Sequence, residues 1–250
     1  MCLIAWNWQP DSETPLLMLA NRDEFYARPT RTLHWWEDGQ VLAGKDLQAG
    51  GTWLGMSRSG RFAAITNYRL PVNETGTKPS RGALVADFLL GRSDAPDYLK
   101  KLTMHADNYN PFNLIVFDGL QLMGIESRNK RAISFAPGIG AVSNADFDTP
   151  WPKLLRLKAE FQALCQAGQT DVSDLLPLLH DKSLATDSML PNTGIGHDLE
   201  RILSATFIES EKYGTRACSI VKLQRKKASF FEECHGERGM LSSAQQLFTL

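Results

Sequence analysis

Several features are scarce or missing in this 250-residue sequence, and each absence excludes a class of protein. Four cysteines are too few for a disulfide scaffold. The 27 basic and 28 acidic side chains leave a net charge of −1, so there is no basic excess to neutralise nucleic-acid phosphates. With 43% apolar residues, the chain is also too hydrophobic and too evenly charged for intrinsic disorder.

Long apolar segments are missing as well. No stretch approaches the roughly 20 apolar residues of a transmembrane helix, so no membrane span is expected. Residues 1–10 (MCLIAWNWQP) lack the basic start and the small-residue cleavage site of a signal peptide. We therefore expect a cytoplasmic protein whose thiols stay free in a reducing compartment.

The sequence also lacks the common motifs for nucleotides, zinc and serine-triad catalysis. It contains no phosphate loop, no dinucleotide fingerprint, no H-E-x-x-H, no C-x-x-C and no G-x-S-x-G. Its five histidines are scattered and do not fit a metal-ligand spacing. We therefore expect no metal and no cofactor, and we interpret Cys165 and Cys218 as packing residues. In Cys234-His235, adjacent strand residues would point to opposite faces.

The hydrophobic pattern changes its period several times along the chain. Period-2 segments and turn residues predict strands over residues 2–8, 16–20, 32–36, 40–43, 52–56, 61–66, 113–117, 122–126, 132–135, 216–223 and 229–234. The last two are expected to close the chain as a β pair. Helical spacing predicts helices over residues 80–91, 97–105, 152 onwards, 171–180 and 198–204. This order favours one α+β domain over residues 1–250 with segregated layers, and residues 71–79 suit a linker or an active-site loop.

Cys2 is the residue with the clearest chemical potential. Removal of Met1 would place a thiol and an α-amine on the same residue, with ordinary pKa values of about 8.5 and about 7.7–8.0. An amine near neutrality can act as the general base for a neighbouring nucleophile. The alternative is that Cys2 begins a buried strand and only packs there, because free cysteine is among the most buried residue types.

A polar cluster, Asn21-Arg22-Asp23-Glu24, follows the apolar segment 16–20. If segments 2–8 and 16–20 form a hairpin, this cluster returns beside Cys2. A carboxylate there could hold the α-amine, and a guanidinium could favour the thiolate. A solvated turn is the simpler alternative for the same four residues.

The cluster Asn21-Arg22-Asp23-Glu24 resembles the signature of the NRDE family, also called the transport-and-Golgi-organisation protein 2 family. Further similar stretches occur in order along almost the whole chain: Met1-Cys2, Gly51-Thr52-Trp53-Leu54-Gly55, Thr66-Asn67-Tyr68-Arg69, Ser80-Arg81-Gly82, Asn110 to Leu114, Ser143-Asn144 with Pro150-Trp151-Pro152-Lys153, Leu190-Pro191-Asn192-Thr193-Gly194, and Tyr213-Gly214-Thr215-Arg216. The run Ala217-Cys218-Ser219 departs from the hydroxyl-rich pattern expected there. The resemblance implies an N-terminal nucleophile (Ntn) hydrolase-like fold, a four-layer αββα sandwich with two antiparallel sheets.

Within that fold class, the chain is most similar to the cysteine amidases such as penicillin V acylase and bile salt hydrolase. The resemblance implies Cys2 as nucleophile, Arg22 and Asp23 as its supporting pair, and Asn67 and Asn144 at the oxyanion site. It also implies Arg216 as a late supporting arginine. Asn21 with Glu24 is a rival to the Arg22–Asp23 pair, and we take Asn21, Glu24 and Trp53 as candidate substrate contacts.

Two functions remain open from the sequence. The first is hydrolysis of a C–N bond in a non-peptide amide of a small molecule, with Cys2 as nucleophile. The second is a non-catalytic carrier or chaperone for haem or for acyl-lipid and coenzyme A metabolites, which the family association suggests. Six tryptophans could line an apolar pocket in the second case. Neither the substrate nor the oligomeric state follows from the sequence.

Overall fold

The computed structural model describes residues 2–71 and 78–250, and the strands of that part form two antiparallel sheets. Met1 and most of the loop 71–79, both named in the sequence analysis, lie outside the described residues. The first sheet has the order β10-β1-β2-β11-β12-β13, and the second runs from β3 to β9 in chain order. The strands are β1 Cys2–Trp8, β2 Leu16–Phe25, β3 Thr30–Trp35, β4 Val41–Asp46, β5 Leu54–Ser57, β6 Phe62–Asn67, β7 Phe112–Phe117, β8 Leu122–Glu126, β9 Arg131–Ser134, β10 Gly138–Val142, β11 Tyr213–Leu223, β12 Lys227–Gly236 and β13 Gly239–Thr249.

Helices cover the outer face of each sheet. They are α1 Gly82–Leu90, α2 Ala95–His105, α3 Pro152–Gln166, α4 Val172–Leu179 and α5 His197–Ile202. Helix α2 begins at Asp94, whose carboxylate accepts a hydrogen bond from the backbone N–H of Asp97, as an N-cap residue does. Helix α4 begins with a capping box made by Asp171 and Asp174. Among the described residues, no helix is long and apolar enough to cross a membrane.

Three apolar cores hold four layers together. Alternation along β1 sends Ile4, Trp6 and Trp8 into the core between the sheets, while Leu3 and Ala5 pack against α3 and α4. A third core joins α1 and α2 to the other sheet. The resulting order of helix, sheet, sheet and helix confirms the predicted α+β fold with two antiparallel sheets.

Two strands were not predicted, and several were predicted too short, β2 most of all. The expectation that the chain closes as a β pair is wrong, because β13 adds a third strand beyond β12. Strand β13 lies at the edge of its sheet and is largely exposed, and only Ala244 and Phe248 pack against the core between the sheets, so its hydrophobic pattern is weak. Strand β10, which includes two glycines, pairs with β1. Strand β2 continues through the polar cluster to Phe25.

The register of β1, β2 and β11 determines which residues meet near Cys2. Cys2 lies opposite Arg22, and Thr215 lies opposite Asp23. The pairing of β2 with β11 shifts between Thr215 and Ala217, so Arg216 is an extra, bulged residue. Bulges of this kind often redirect a side chain next to a functional site.

Candidate functional site

A cavity of about 600 Å³ opens between the two sheets, at the end where β1 begins. Its walls come from both sheets and from the segment that leads into α1. Seven of the nine candidate residues line it: Cys2, Arg22, Asp23, Glu24, Trp53, Asn67 and Arg216. The other two, Asn21 and Asn144, do not.

Cys2 lies at the inner end of this cavity and is only 6% exposed. Burial raises the pKa of its thiol from 9.0 to about 11, and nearby Asp23 acts in the same direction while Arg22 opposes it. The backbone carbonyl of Cys2 accepts a hydrogen bond of 3.1 Å from the Ser143 hydroxyl, which fixes the start of β1. The thiol is therefore well held and largely protonated at neutral pH.

Arg22 and Glu24 share the cavity-facing side of β2. The Arg22 Nη2 atom lies 3.6 Å from Glu24 Oε2 and 3.9 Å from Asp46 Oδ2. Asp46 also binds Arg28, through contacts of 2.9 and 2.8 Å to its Nε and Nη2 atoms. The two long ion pairs of Arg22 hold its guanidinium beside Cys2, and neither carboxylate is close enough to cancel its charge.

Asp23 borders the cavity, but its side chain points to the other face of β2 from Arg22 and Glu24 and is buried. Its Oδ1 atom accepts a hydrogen bond of 2.7 Å from the Thr215 hydroxyl. Burial raises the pKa of this carboxyl, while the charge of Lys153 is the main effect that lowers it. Because β1 and β2 are antiparallel, Asp23 lies beyond the amine end of Cys2.

Lys153 is a site residue that the sequence analysis treated only as part of a family motif. It belongs to the first turn of α3 and is 1% exposed, and its Nζ atom has no hydrogen-bond partner among the described residues. Burial lowers its pKa from 10.5 to about 8, although Asp23 and Cys2 act in the opposite direction. A buried lysine with this pKa is typical of functional sites, because it exchanges a proton near neutral pH.

Asn67 and Asn144, the two proposed oxyanion residues, are coupled to each other. The Asn144 side-chain amide donates a hydrogen bond of 2.8 Å to the backbone carbonyl of Asn67. Its side-chain oxygen accepts one of 3.2 Å from Ser143. Asn144 therefore positions the end of β6, and Asn67 alone of the pair lines the cavity.

Arg216 is a structural hub in the cavity wall. Its guanidinium donates to the backbone carbonyls of Phe25, Tyr26 and Arg28 and, at 2.9 Å, to that of His235. These bonds join the end of β2 and the segment after it to β12. The bulge in β11 explains how this side chain reaches across the strands.

Asn21 lies on the helix side of β2 and is fully buried. Its amide donates to the carbonyl of Leu179 at 2.8 Å and to that of Thr206 at 2.9 Å. It therefore fixes the end of α4 and the segment before β11, away from the cavity. Trp53, in contrast, borders both the cavity and the apolar cores of the second sheet.

Glu232 is a second cavity residue that the sequence did not reveal. It is buried, burial raises its pKa, and it accepts hydrogen bonds from the Leu33 backbone and from Ser219. Cys234 also lines the cavity and donates to Glu232 at 3.4 Å. Alternation along the predicted strand 229–234 places Glu232 and Cys234 on one face, but the sequence does not indicate that this face borders a cavity.

The cavity has more basic than acidic residues, although the chain as a whole has a slight acidic excess. Its lining includes seven arginines and lysines but only four aspartates and glutamates. One of those four, Glu232, has a raised pKa. Such a lining favours an anionic ligand, because clefts with one sign of charge concentrate ions of the other.

Comparison with known proteins places this chain in a family. Residues 1–237 match the family model described as Transport and Golgi organisation 2. The chain belongs to this family. Its relatives in the Transport and Golgi organisation 2 family include homologues from Bos taurus (35% identical, covering 97% of this chain and 94% of that one) and Homo sapiens (34%, 88% and 88%). The protein from Drosophila melanogaster is 29% identical and covers 95% of each chain.

Solved structures of Ntn-type hydrolases share the fold. The C2A mutant of conjugated bile acid hydrolase from Clostridium perfringens has a TM-score of 0.54, with 10% identity over 100% of this chain and 96% of that one. A second variant of that enzyme gives a TM-score of 0.51 at 9% identity, over 99% and 97% of the two chains. The Ntn-hydrolase-like fold that the resemblance implied is therefore confirmed.

Proposed function

We propose that, after removal of Met1, this protein is a cysteine amidohydrolase that cleaves the C–N bond of a small anionic amide. One observation carries the proposal. Cys2 opens β1 at the inner end of a cavity of about 600 Å³, opposite Arg22 and beside Asp23. The nucleophile, a charge that favours its thiolate and a carboxylate for its amine thus come together at one strand end.

The chemistry has two steps. In the first, the Cys2 sulfur attacks the amide carbonyl while the α-amine of the same residue takes the thiol proton. The C–N bond then breaks, that proton passes to the leaving amine, and a thioester remains on Cys2. In the second, the α-amine activates a water that attacks the thioester, which releases the carboxylic acid and restores the thiol.

Several neighbours assist these steps. Asp23 lies beyond the amine end of Cys2 and orients the α-amine, while Arg22 favours the thiolate. The Asn67 side chain donates to the oxyanion, and Asn144 acts as a positioning residue that holds the Asn67 backbone. Arg216 positions the wall of the cavity through its four carbonyl bonds.

The charge of the cavity supports an anionic substrate class. Seven basic residues outnumber four acidic ones in the lining, while Trp53 supplies an apolar surface. An amide of a carboxylate-bearing or phosphate-bearing small molecule matches both features. All four cysteines are free, which fits work in a reducing compartment such as the cytoplasm.

The fold comparison is consistent with this reaction type. The C2A mutant that shares the fold of this chain belongs to an enzyme named as a hydrolase, conjugated bile acid hydrolase. At 10% identity the likeness concerns the fold, so the proposal depends on the residues of this chain.

Intact mass spectrometry combined with substrate screening tests the proposal. We expect the active protein to lack Met1 and to release amines from a panel of anionic N-acyl compounds. Cys2→Ala should abolish turnover, whereas the matched variant Cys165→Ala should not, because Cys165 lies on α3 outside the cavity lining. Turnover by a chain that retains Met1, or full activity in Cys2→Ala, would contradict the mechanism.

A second candidate is a carrier that binds an anionic ligand without turnover. A specific observation favours it. While Met1 remains, the thiol has a pKa of about 11 and stays protonated, yet the basic cavity is already formed. Haem and coenzyme A thioesters are the anionic ligands to test. Binding of hemin or an acyl-coenzyme A at micromolar concentration, with no hydrolysis by the processed chain, would favour the carrier over the enzyme.

A further inference from the structure

A second group of reactive side chains lies mainly on the other face of β11 and β12, and only its member His235 also borders the cavity. It consists of His180, Cys218, Glu233 and His235, which we call the His–Cys–Glu cluster. Cys218 lies opposite Glu233 in the strand pairing, and His235 follows on the same strand. His180 is the residue that ends α4. Three segments distant in sequence therefore meet at this point.

The ligand atoms of the cluster converge closely. The side-chain nitrogens of His180 and His235 and the Cys218 sulfur all lie within 4.8 Å of one another. One oxygen of Glu233 lies 2.9 Å from His180 Nε2 and 2.7 Å from His235 Nε2. The Glu233 carboxylate therefore bridges the two imidazoles, and the Cys218 sulfur lies close to both rings.

The Glu233 carboxylate contacts both imidazoles at ion-pair distance, although neither His180 Nε2 nor His235 Nε2 meets hydrogen-bond geometry in the described part of the chain. His235 is 7% exposed and Cys218 is fully buried, so water reaches these two residues poorly. A cation held jointly by the imidazoles, the sulfur and the carboxylate would give these buried polar groups a common partner.

We propose that the His–Cys–Glu cluster binds one Zn²⁺ ion through four protein ligands. A thiolate, two imidazoles and a carboxylate suit zinc, whose sites with four protein ligands are tetrahedral. From Zn–N distances of about 2.0–2.1 Å and Zn–S of about 2.3 Å, neighbouring ligand atoms in such a site lie about 3.3–3.6 Å apart. The ligand atoms of the cluster are up to 4.8 Å apart, so they must move closer together to bind zinc. The side chain of His180 is 37% exposed and has room to rotate inward. Binding releases the Cys218 proton to solvent and leaves the thiolate on the metal.

The surroundings of the cluster show how the site is supported. The Phe207 ring packs edge-on against both histidines, with centroid distances of 5.6 Å to His180 and 4.9 Å to His235. Asn21 holds the carbonyls of Leu179 and Thr206, the residues before His180 and Phe207. With no position left for substrate, the zinc is structural and joins the end of α4 to β11 and β12.

Metal analysis of the purified full chain tests the proposal, and the chain must carry no polyhistidine tag. We expect one zinc per chain by elemental analysis, and a lower melting temperature after chelation that added Zn²⁺ restores. Substitution by Co²⁺ should give the absorption of a tetrahedral site together with a thiolate-to-cobalt charge-transfer band. That band reports Cys218 directly, without any substitution.

Variants then separate ligands from bystanders. His180 lies at the rim of the cluster, and we expect His180→Ala to weaken zinc binding by at least about tenfold. Loss of a residue that only supports a metal ligand already lowers metal affinity about 10–100-fold, and loss of a ligand should cost no less. Cys218→Ser should remove the charge-transfer band. His197→Ala and Cys165→Ser are matched controls that should bind normally, because neither residue belongs to the cluster.

Three results would overturn the proposal. One is a chain that binds no stoichiometric zinc or cobalt after loading. The second is a cobalt spectrum that lacks the thiolate band. The third is zinc affinity that stays unchanged in His180→Ala. If Cys218→Ser does not fold, the band in the unaltered chain and the affinity of His180→Ala still decide the question.

Discussion

The reactivity of Cys2 toward an electrophile should depend on whether Met1 is present. In the chain that retains Met1, burial sets the pKa of the thiol at about 11 instead of 9.0. An electrophile such as iodoacetamide reacts with the thiolate and hardly with the thiol. The rate of alkylation at Cys2 therefore measures the thiolate population.

The expected size of the effect follows from that pKa. A rise of two pKa units is worth about 2.7 kcal/mol and lowers the thiolate population about 100-fold at any pH below 9. At pH 7.5 about 0.03% of Cys2 is then thiolate, compared with about 3% of an ordinary thiol of pKa 9. Below pH 11 the rate should rise about tenfold per pH unit, without a plateau near neutrality.

The processed chain should behave differently. Removal of Met1 brings an α-amine with an ordinary pKa of about 7.7–8.0 onto the same residue. That amine accepts the thiol proton within the molecule, so alkylation gains an inflection near pH 8. The two profiles should therefore diverge most between pH 7 and pH 9.

Site-resolved mass spectrometry of both chains, alkylated for short times between pH 6.5 and pH 10, supplies the measurement. A small free thiol under the same conditions corrects for the electrophile itself. In the chain that retains Met1, an alkylation rate at Cys2 that reaches a plateau below pH 9 would refute the reasoning. It would mean that burial does not raise the pKa of this thiol. Identical profiles for the two chains would show that the α-amine does not act on Cys2.

Three further predictions concern stability, measured as the free energy of unfolding in urea. Lys153→Met should stabilise the chain at pH 7 by less than the roughly 3 kcal/mol that a pKa lowered from 10.5 to about 8 represents, because it also removes the charge that faces buried Asp23. The folded state binds fewer protons than the unfolded state between pH 8 and pH 10.5, so the cost fades as pH rises and the variant should lose its advantage near pH 10.5. Asn21→Ala should destabilise by about 2–4 kcal/mol because it leaves two buried carbonyls without a donor, and equal stability would show that water replaces the amide. Gly140→Ala should cost about 1–3 kcal/mol, because its Cβ would overlap the Trp6 ring, and a stable variant would mean that this ring moves freely.

Local pattern was enough to predict most of the fold. Strand β1 and the core stripe of α3 follow directly from period 2 and period 3.6, because each buries one apolar face. Strands β10 and β13 escaped prediction for physical reasons. The first contains two glycines, and the second is a largely exposed edge strand in which only alternate residues of the second half are partly buried.

The candidate site was only partly predictable. The resemblance indicated Cys2 and the polar cluster at the end of β2, and the hairpin register places Arg22 opposite Cys2. Alternation along β2 could have separated Asn21 from Arg22, because neighbours in a strand face opposite sides. Lys153 could not be found this way, since its burial and lowered pKa depend on how α3 packs onto the first sheet.

The two strands β11 and β12 connect the cavity with the His–Cys–Glu cluster. Alternation along β12 sends Glu232 and Cys234 into the cavity and Glu233 toward the helices, while His235 contacts Glu233 and also borders the cavity. Arg216, in the cavity wall, donates a hydrogen bond of 2.9 Å to the backbone carbonyl of His235, next to a register shift between β12 and β13. A substitution at His235 therefore disturbs a strand that serves both sites, and its effect on activity would not distinguish them. His180 and Cys218 lie outside the cavity lining and off β12, which is why variants of these two residues separate zinc binding from the chemistry at Cys2.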